Sequence, residues 1–429
     1  MSVEGQVFDP VNEFAEACFR EVHTQPYARC WSLGRKRVED TMLSLYKQDP
    51  ASSQVLLFTS GMNAISAILD AYTRGAPRNS MILHGEEMYS DVWYSAHYIC
   101  GSKLLSRWVK IQDDSAILEI FRNHGKQLVV FLVEVCSNPS GQIFNFDLIP
   151  ELRALAPDCL IVLDNTWLSP AVINPFEHGV DIVVESTTKH LSGGQAIGGT
   201  VIGSKKTLAP LAQWLSFFGI HVPSAHCAII EQGMHEMSAR MRKASITALE
   251  MATWLESKTA PSSSPSSLSS SAAVNRVLHP LLPSHPCHDR AKRFFTQGMG
   301  PTVFAFHLSC DIARAQEALR SLSSPSLLAS LTSYGAASSR LDPWPARGEP
   351  SDFDAKTICS KEEEEEGKEV AQNYSEEEEE EEEEERSGGG TWLRLSVGYD
   401  SEVGPLKEEV ARFISATAPS HSTPAGVQG

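Results

Sequence analysis

No stretch of the 429 residues holds an apolar run near the ~18 residues that cross a bilayer, so a spanning helix is not expected. No two of the nine cysteines are spaced Cys-x-x-Cys, which argues against a zinc ribbon and against a disulfide framework. The first residues, Met-Ser-Val-Glu-Gly, lack both the basic and the apolar region of a secretory signal. A cytoplasmic protein with scattered reduced thiols is expected. Positive charge is scarce too: 36 Lys and Arg stand against 54 Asp and Glu. That balance offers no basic surface for nucleic acid. Nor does the chain show an internal repeat.

The net charge of −18 is unevenly spread. Residues 362–366 and 376–385 are pure glutamate, fifteen charges that leave the rest of the chain near −3. Such blocks repel themselves and stay solvated. They fall in a stretch, 347–390, expected to remain disordered, as is the Ser/Pro-rich segment 260–273. The remainder, 42% hydrophobic and 21% charged, is the composition of a globular protein large enough for two domains. The expected division is an N-terminal arm over 1–50, a larger domain over 51–257 and a C-terminal domain over 258–429.

Apolar runs of four to eight residues alternate with helical patterns through the first half. Strands are expected at 54–58, 81–83, 128–135, 159–163, 182–184 and 197–202. Helices are expected at 38–45, 63–72 and 150–156, and a long one over 229–256 bridges to the second domain. Further on come a strand at 303–308, a Leu-rich helix leading to Ser333, a strand at 392–398 and a closing helix over 403–414. Strands alternating with helices predict an α/β fold with a mostly parallel, doubly wound sheet. A smaller α/β domain follows it.

Polar residues gather where those strands end: Ser60-Gly61-Met62, Asn138, Asp164, then Ser186-Thr187-Thr188-Lys189. Ligands of open α/β sheets bind outside these carboxyl ends. Strand, Ser-Gly turn and helix is the geometry that presents N–H groups to a phosphate. A lysine amine, a buried carboxylate and a phosphate cup together match pyridoxal 5'-phosphate. That cofactor needs a lysine for its carbonyl, an acid at its ring nitrogen and an aromatic face, here Tyr89. Arg394, on an apolar strand, is costly to bury without an anion and suits a substrate carboxylate. Residues 198–205 have the glycines of a Walker loop, but Ser204 stands where its lysine belongs. His285-Pro286-Cys287-His288 has no second ligand pair elsewhere and reads as a loop, so no metal is expected.

These segments resemble, in order, the trans-sulfuration (cystathionine and methionine metabolism) family of pyridoxal-phosphate enzymes, fold type I. Ser60-Gly61-Met62-Asn63 is similar to its phosphate loop, and Tyr89 falls where its ring-stacking, catalytic tyrosine belongs. Asn138-Pro139 resembles the segment that touches the ring hydroxyl, and Asp164-Asn165-Thr166 the pyridinium aspartate signature. Glu185-Ser186-Thr187-Thr188-Lys189 resembles the Schiff-base lysine signature. The resemblance implies Ser333 and Arg394 at the substrate carboxylate. It implies Tyr27 and Arg29 at a neighbouring subunit's phosphate in a homodimer or homotetramer.

The chain also departs from that pattern. Tyr27-Ala28-Arg29 is followed by Cys30-Trp31-Ser32 instead of Asn-Pro-Thr. Ser90-Asp91-Val92 replaces the Gly-Gly-Thr after the tyrosine, with loss of a substrate-side arginine. Gly193-Gly194 stands in place of Gly-His. The resemblance implies a carbon–sulfur lyase of the cystathionine γ-lyase kind. Its alternatives are γ-replacement on an activated homoserine, cystathionine β-lysis, and a catalytically silent relative that serves as a binding protein.

Overall fold

A computed structural model describes residues 32–101, 104–259, 274–322, 327–330, 333–344 and 390–417. Two sheets organise them. The first holds β1 (Ser53–Phe58), β2 (Met81–Gly85), β3 (Leu105–Val109), β4 (Leu128–Glu134), β5 (Leu160–Asp164), β6 (Ile182–Glu185) and β7 (Gly199–Ser204). Their order is β1-β7-β6-β5-β4-β2-β3. Neighbours from β6 to β3 are parallel. β7 alone runs against both of its neighbours.

The central strands are apolar at nearly every position because both sheet faces are covered. Alternate side chains point to opposite faces. Phe131, Val133, Leu163 and Val183 therefore enter one apolar cluster, and Val130, Leu132, Val162 and Val184 the other. Helix Leu33–Leu45 closes the first cluster through Val38 and Met42, and helix Gly61–Thr73 closes the second through Ala64 and Ile68.

Helix Ser224–Glu256 runs 33 residues, about 50 Å. Met234, Met237 and Met241 belong to the first sheet's core. Two turns on, Ala248, Met251 and Leu255 enter the core of the second sheet. This is the bridging helix the sequence predicts. The second sheet comprises β8 (Val274–Leu278), β9 (Val303–Leu308), β10 (Leu328–Ala329), β11 (Ser339–Trp344) and β12 (Thr391–Ser396), in the order β10-β11-β12-β9-β8. Phe304, Phe306, Leu393 and Leu395 pack there against helices Ile312–Ser321 and Val403–Ala416.

Two expectations are corrected. The Leu-rich stretch before Ser333 is not a helix at Leu328, which pairs in parallel with β11 and is buried at the sheet edge. The strand expected at 197–202 begins at Gly199, with Ile197 59% exposed. A Cβ at Gly199 would collide with the Ser60 carbonyl, so strand and helix start meet backbone to backbone. β3, β8 and β11 lie where no strand is expected, and within β11 Pro343 argues against one. No helix among the described residues is long and apolar enough to cross a membrane. Tyr27, Arg29, the segment 260–273 and both glutamate runs lie outside the described residues.

Candidate active site

The parallel strands bring their last residues to one edge, and there the cavity opens. β4 ends on Glu134 and β5 on Asp164, opposed in register. Asp164 is 8% exposed. Burial raises its carboxyl above the ordinary aspartate range, while hydrogen bonds from Thr166 pull the other way. One of them is the Thr166 N–H, 2.8 Å from Asp164 Oδ1. Thr166 in turn accepts from the Ser186 N–H through its hydroxyl at 2.8 Å, tying the turn after β5 to the turn after β6.

On the second of these turns Lys189 extends toward the other sheet. Its Nζ donates to Ser333 Oγ at 2.6 Å and sits 5.1 Å from the centroid of the Tyr334 ring. Ser333 has φ +93, a left-handed conformation rare outside glycine. Tyr334 lies between Trp167, which it meets edge-on, and His190, to which it is tilted, at centroid distances of 5.2 and 5.4 Å. Burial pushes the His190 imidazole down to about 3, so it stays neutral beside the lysine.

Ser60 caps helix Gly61–Thr73, accepting from the Asn63 N–H at 3.1 Å. Gly61 follows because a Cβ there would lie 2.9 Å from the Ser186 Cβ. The Thr188 hydroxyl is held by the Gly198 backbone, accepting its N–H at 3.1 Å and donating to its carbonyl at 3.3 Å. Tyr89 stands at the start of helix Ser90–Cys100, 39% exposed, and its N–H donates to Glu134 Oε1 at 2.8 Å. From the second sheet comes Arg394, 6% exposed, whose Nη1 donates to Asn138 Oδ1 at 3.1 Å.

Ser60, Gly61, Met62, Tyr89, Asn138 and Asp164 share the lining of one cavity of about 480 Å³ with Ser186, Thr188, Lys189, Ser333 and Arg394. Every expected site residue that falls within the described residues is therefore at this cavity. Glu134, Thr166, Trp167, Tyr334 and Asp342 also line it, and the sequence reading assigned none of them a role. Thr166 carried a signal, two residues past a strand-end aspartate. Glu134 closes an expected strand, whereas Tyr334 and Asp342 are placed by contacts distant in sequence. His285 serves the loop beside Asn138, with its Nε2 2.9 Å from the Ser140 carbonyl.

A family profile described as "Cys/Met metabolism PLP-dependent enzyme" matches residues 7–346. An L-alanine/L-glutamate racemase of Wolbachia pipientis is 23% identical over 61% of this chain and 60% of its own length. A putative cystathionine beta-lyase of Rhizobium johnstonii is 32% identical over 70% of each chain. This chain thus spans about three fifths to seven tenths of the length of such relatives. Among solved structures, yeast cystathionine gamma-lyase superposes with a TM-score of 0.70 at 20% identity, covering 92% of this chain and 88% of that one. That likeness bears on the fold alone.

The lining fits pyridoxal phosphate on its own chemistry. It offers an amine for the carbonyl and an acid carboxylate for the ring nitrogen. It also offers a helix N-terminus, bared by Gly61, for the phosphate. A profile match over most of the sequence, on a fold shared with solved trans-sulfuration enzymes, makes this chain a member of the pyridoxal-phosphate-dependent family of cysteine and methionine metabolism.

Proposed function

We propose that the protein is a carbon–sulfur lyase acting on a thioether amino acid of the cystathionine kind. The observation that carries this is Lys189 Nζ, 2.6 Å from Ser333 Oγ, in a cavity that also presents Asp164 and Arg394. Pyridoxal phosphate, when bound, would supply an electron-accepting ring. Asp164 holds a proton at the ring nitrogen. Lys189 takes the α-proton and returns a proton to the leaving side, a short transfer that Ser333 orients. Arg394, steadied by Asn138, grips the α-carboxylate. Tyr89 covers the ring face and joins the proton transfers. Gly61 and Met62 N–H groups, with the hydroxyls of Ser60, Ser186 and Thr188, hold the phosphate, and Tyr27 and Arg29 serve a neighbouring copy's phosphate in a homo-oligomer.

The 32% relative is named for β-elimination, and we place that cleavage ahead of the γ-cleavage preferred from sequence. Incubation with L-cystathionine separates them. β-Elimination with uptake of water releases pyruvate, ammonia and homocysteine, and γ-elimination releases 2-oxobutyrate, ammonia and cysteine. Absence of both keto acids with every thioether substrate tried overturns the lyase reading. The racemase relative supports a second reading, in which Lys189 and Tyr89 move only the α-proton. Its mark is D-alanine formed from L-alanine without keto acid.

A further inference from the structure

Arg394 does not meet the cavity alone. Asp342 on β11 lies directly opposite it across the antiparallel register with β12. Arg394 Nη2 donates to Asp342 Oδ2 at 3.0 Å, while Nη1 donates to Asn138 Oδ1 at 3.1 Å. The two side chains of the ion pair are 7% and 18% exposed. All three residues line the cavity. Pro343 follows Asp342 and confines it to extended backbone, which keeps its carboxylate on one face of the strand.

We propose that Asp342 is a positioning residue for the carboxylate pocket, aiming the Arg394 guanidinium. The inference rests on the reading of Arg394 as the carboxylate anchor. An arginine side chain carries about 2 kcal/mol of rotamer entropy that a ligand must otherwise overcome. Anchors from two elements, β11 and the loop after β4, fix the guanidinium plane before substrate arrives. A carboxylate beside an arginine could instead compete with substrate for the same charge. The two roles have opposite signs. An aiming residue lowers KM by its presence, and a competing one raises it.

The test uses the holoenzyme and Asp342→Asn, which keeps an acceptor oxygen and removes the charge. KM for the thioether substrate is expected to rise about tenfold, the size of one charge-assisted hydrogen bond, with kcat within about twofold. Spectral titration of the bound cofactor with glycine and with methylamine isolates the carboxylate. The variant weakens glycine about tenfold and leaves methylamine unchanged, with Asp342→Ala weakening glycine further. A fall in KM, or equal weakening of glycine and methylamine, overturns the inference. A wild-type holoenzyme whose spectrum ignores both ligands overturns the functional reading, and this inference with it.

Discussion

Glu185 sits one residue before Ser186 at the end of β6, 1% exposed, and accepts a hydrogen bond from the Tyr46 hydroxyl. Asn165 Nδ2 reaches the same hydroxyl at 3.0 Å. Burial pushes the Glu185 carboxyl well above the ordinary glutamate range, while the Tyr46 hydrogen bond acts against it. Glu134 is raised the same way, by burial first and then by Asp164. A carboxyl raised in the folded state keeps a proton that unfolding releases. Stability from this source is present below the ordinary carboxyl value and is lost as pH rises toward the raised one. Glu185→Gln removes that titration and keeps an acceptor for Tyr46. The variant's Tm should therefore fall less than that of wild type between about pH 5 and pH 8 in calorimetry. Parallel curves would contradict the assignment.

At the scale of elements, the start of helix Gly61–Thr73 is where packing and cofactor chemistry coincide. Alanine at Gly61 places a Cβ 2.9 Å from that of Ser186, and relief requires the helix to back away from the turn that carries Lys189. Overpacking of this kind costs about 1–3 kcal/mol, so Gly61→Ala should weaken cofactor affinity about tenfold or more, measured by fluorescence titration of the apoenzyme. Unchanged affinity would mean the helix N-terminus does not face the phosphate. This junction is legible in sequence because an apolar strand, a capping serine and a glycine lie in one local run. β4, β6 and the long helix are legible for the same reason, since their apolar patterns depend on nothing remote. β11 is not, because a proline argues against a strand and only its pairing with β12 overrides that. Tyr334 was visible as a residue but not as a ring under Lys189. Its direction depends on Gly335, at φ +81, where a Cβ would lie 2.6 Å from the Lys189 carbonyl carbon. Asp342 left no local signal, since its partner Arg394 lies 52 positions away.

For the whole molecule, the cavity is a joint between two sheets. Lys189 reaches Ser333, and Arg394 reaches Asn138, each pair crossing from the first sheet's loops to the second sheet's side. The first core also recruits Ala291, Phe295 and Met299 from the chain beyond the bridging helix. A ligand held by both sides should stabilise both. At free cofactor about 100 times its dissociation constant, linkage adds about 2.7 kcal/mol. We expect pyridoxal phosphate to raise the Tm of the apoenzyme by roughly 3 °C as one transition. Two transitions of which only one moves would contradict a shared cavity.

The central claim is that Lys189 is the amine on which the cofactor depends. Its most direct measurement is the visible absorption of purified protein saturated with pyridoxal phosphate, before and after Lys189→Ala. The account predicts a yellow wild type with a band that survives gel filtration. It predicts a variant of unchanged fold by circular dichroism that loses this band. A colourless wild type, or a Lys189→Ala protein that keeps the wild-type band, would contradict it.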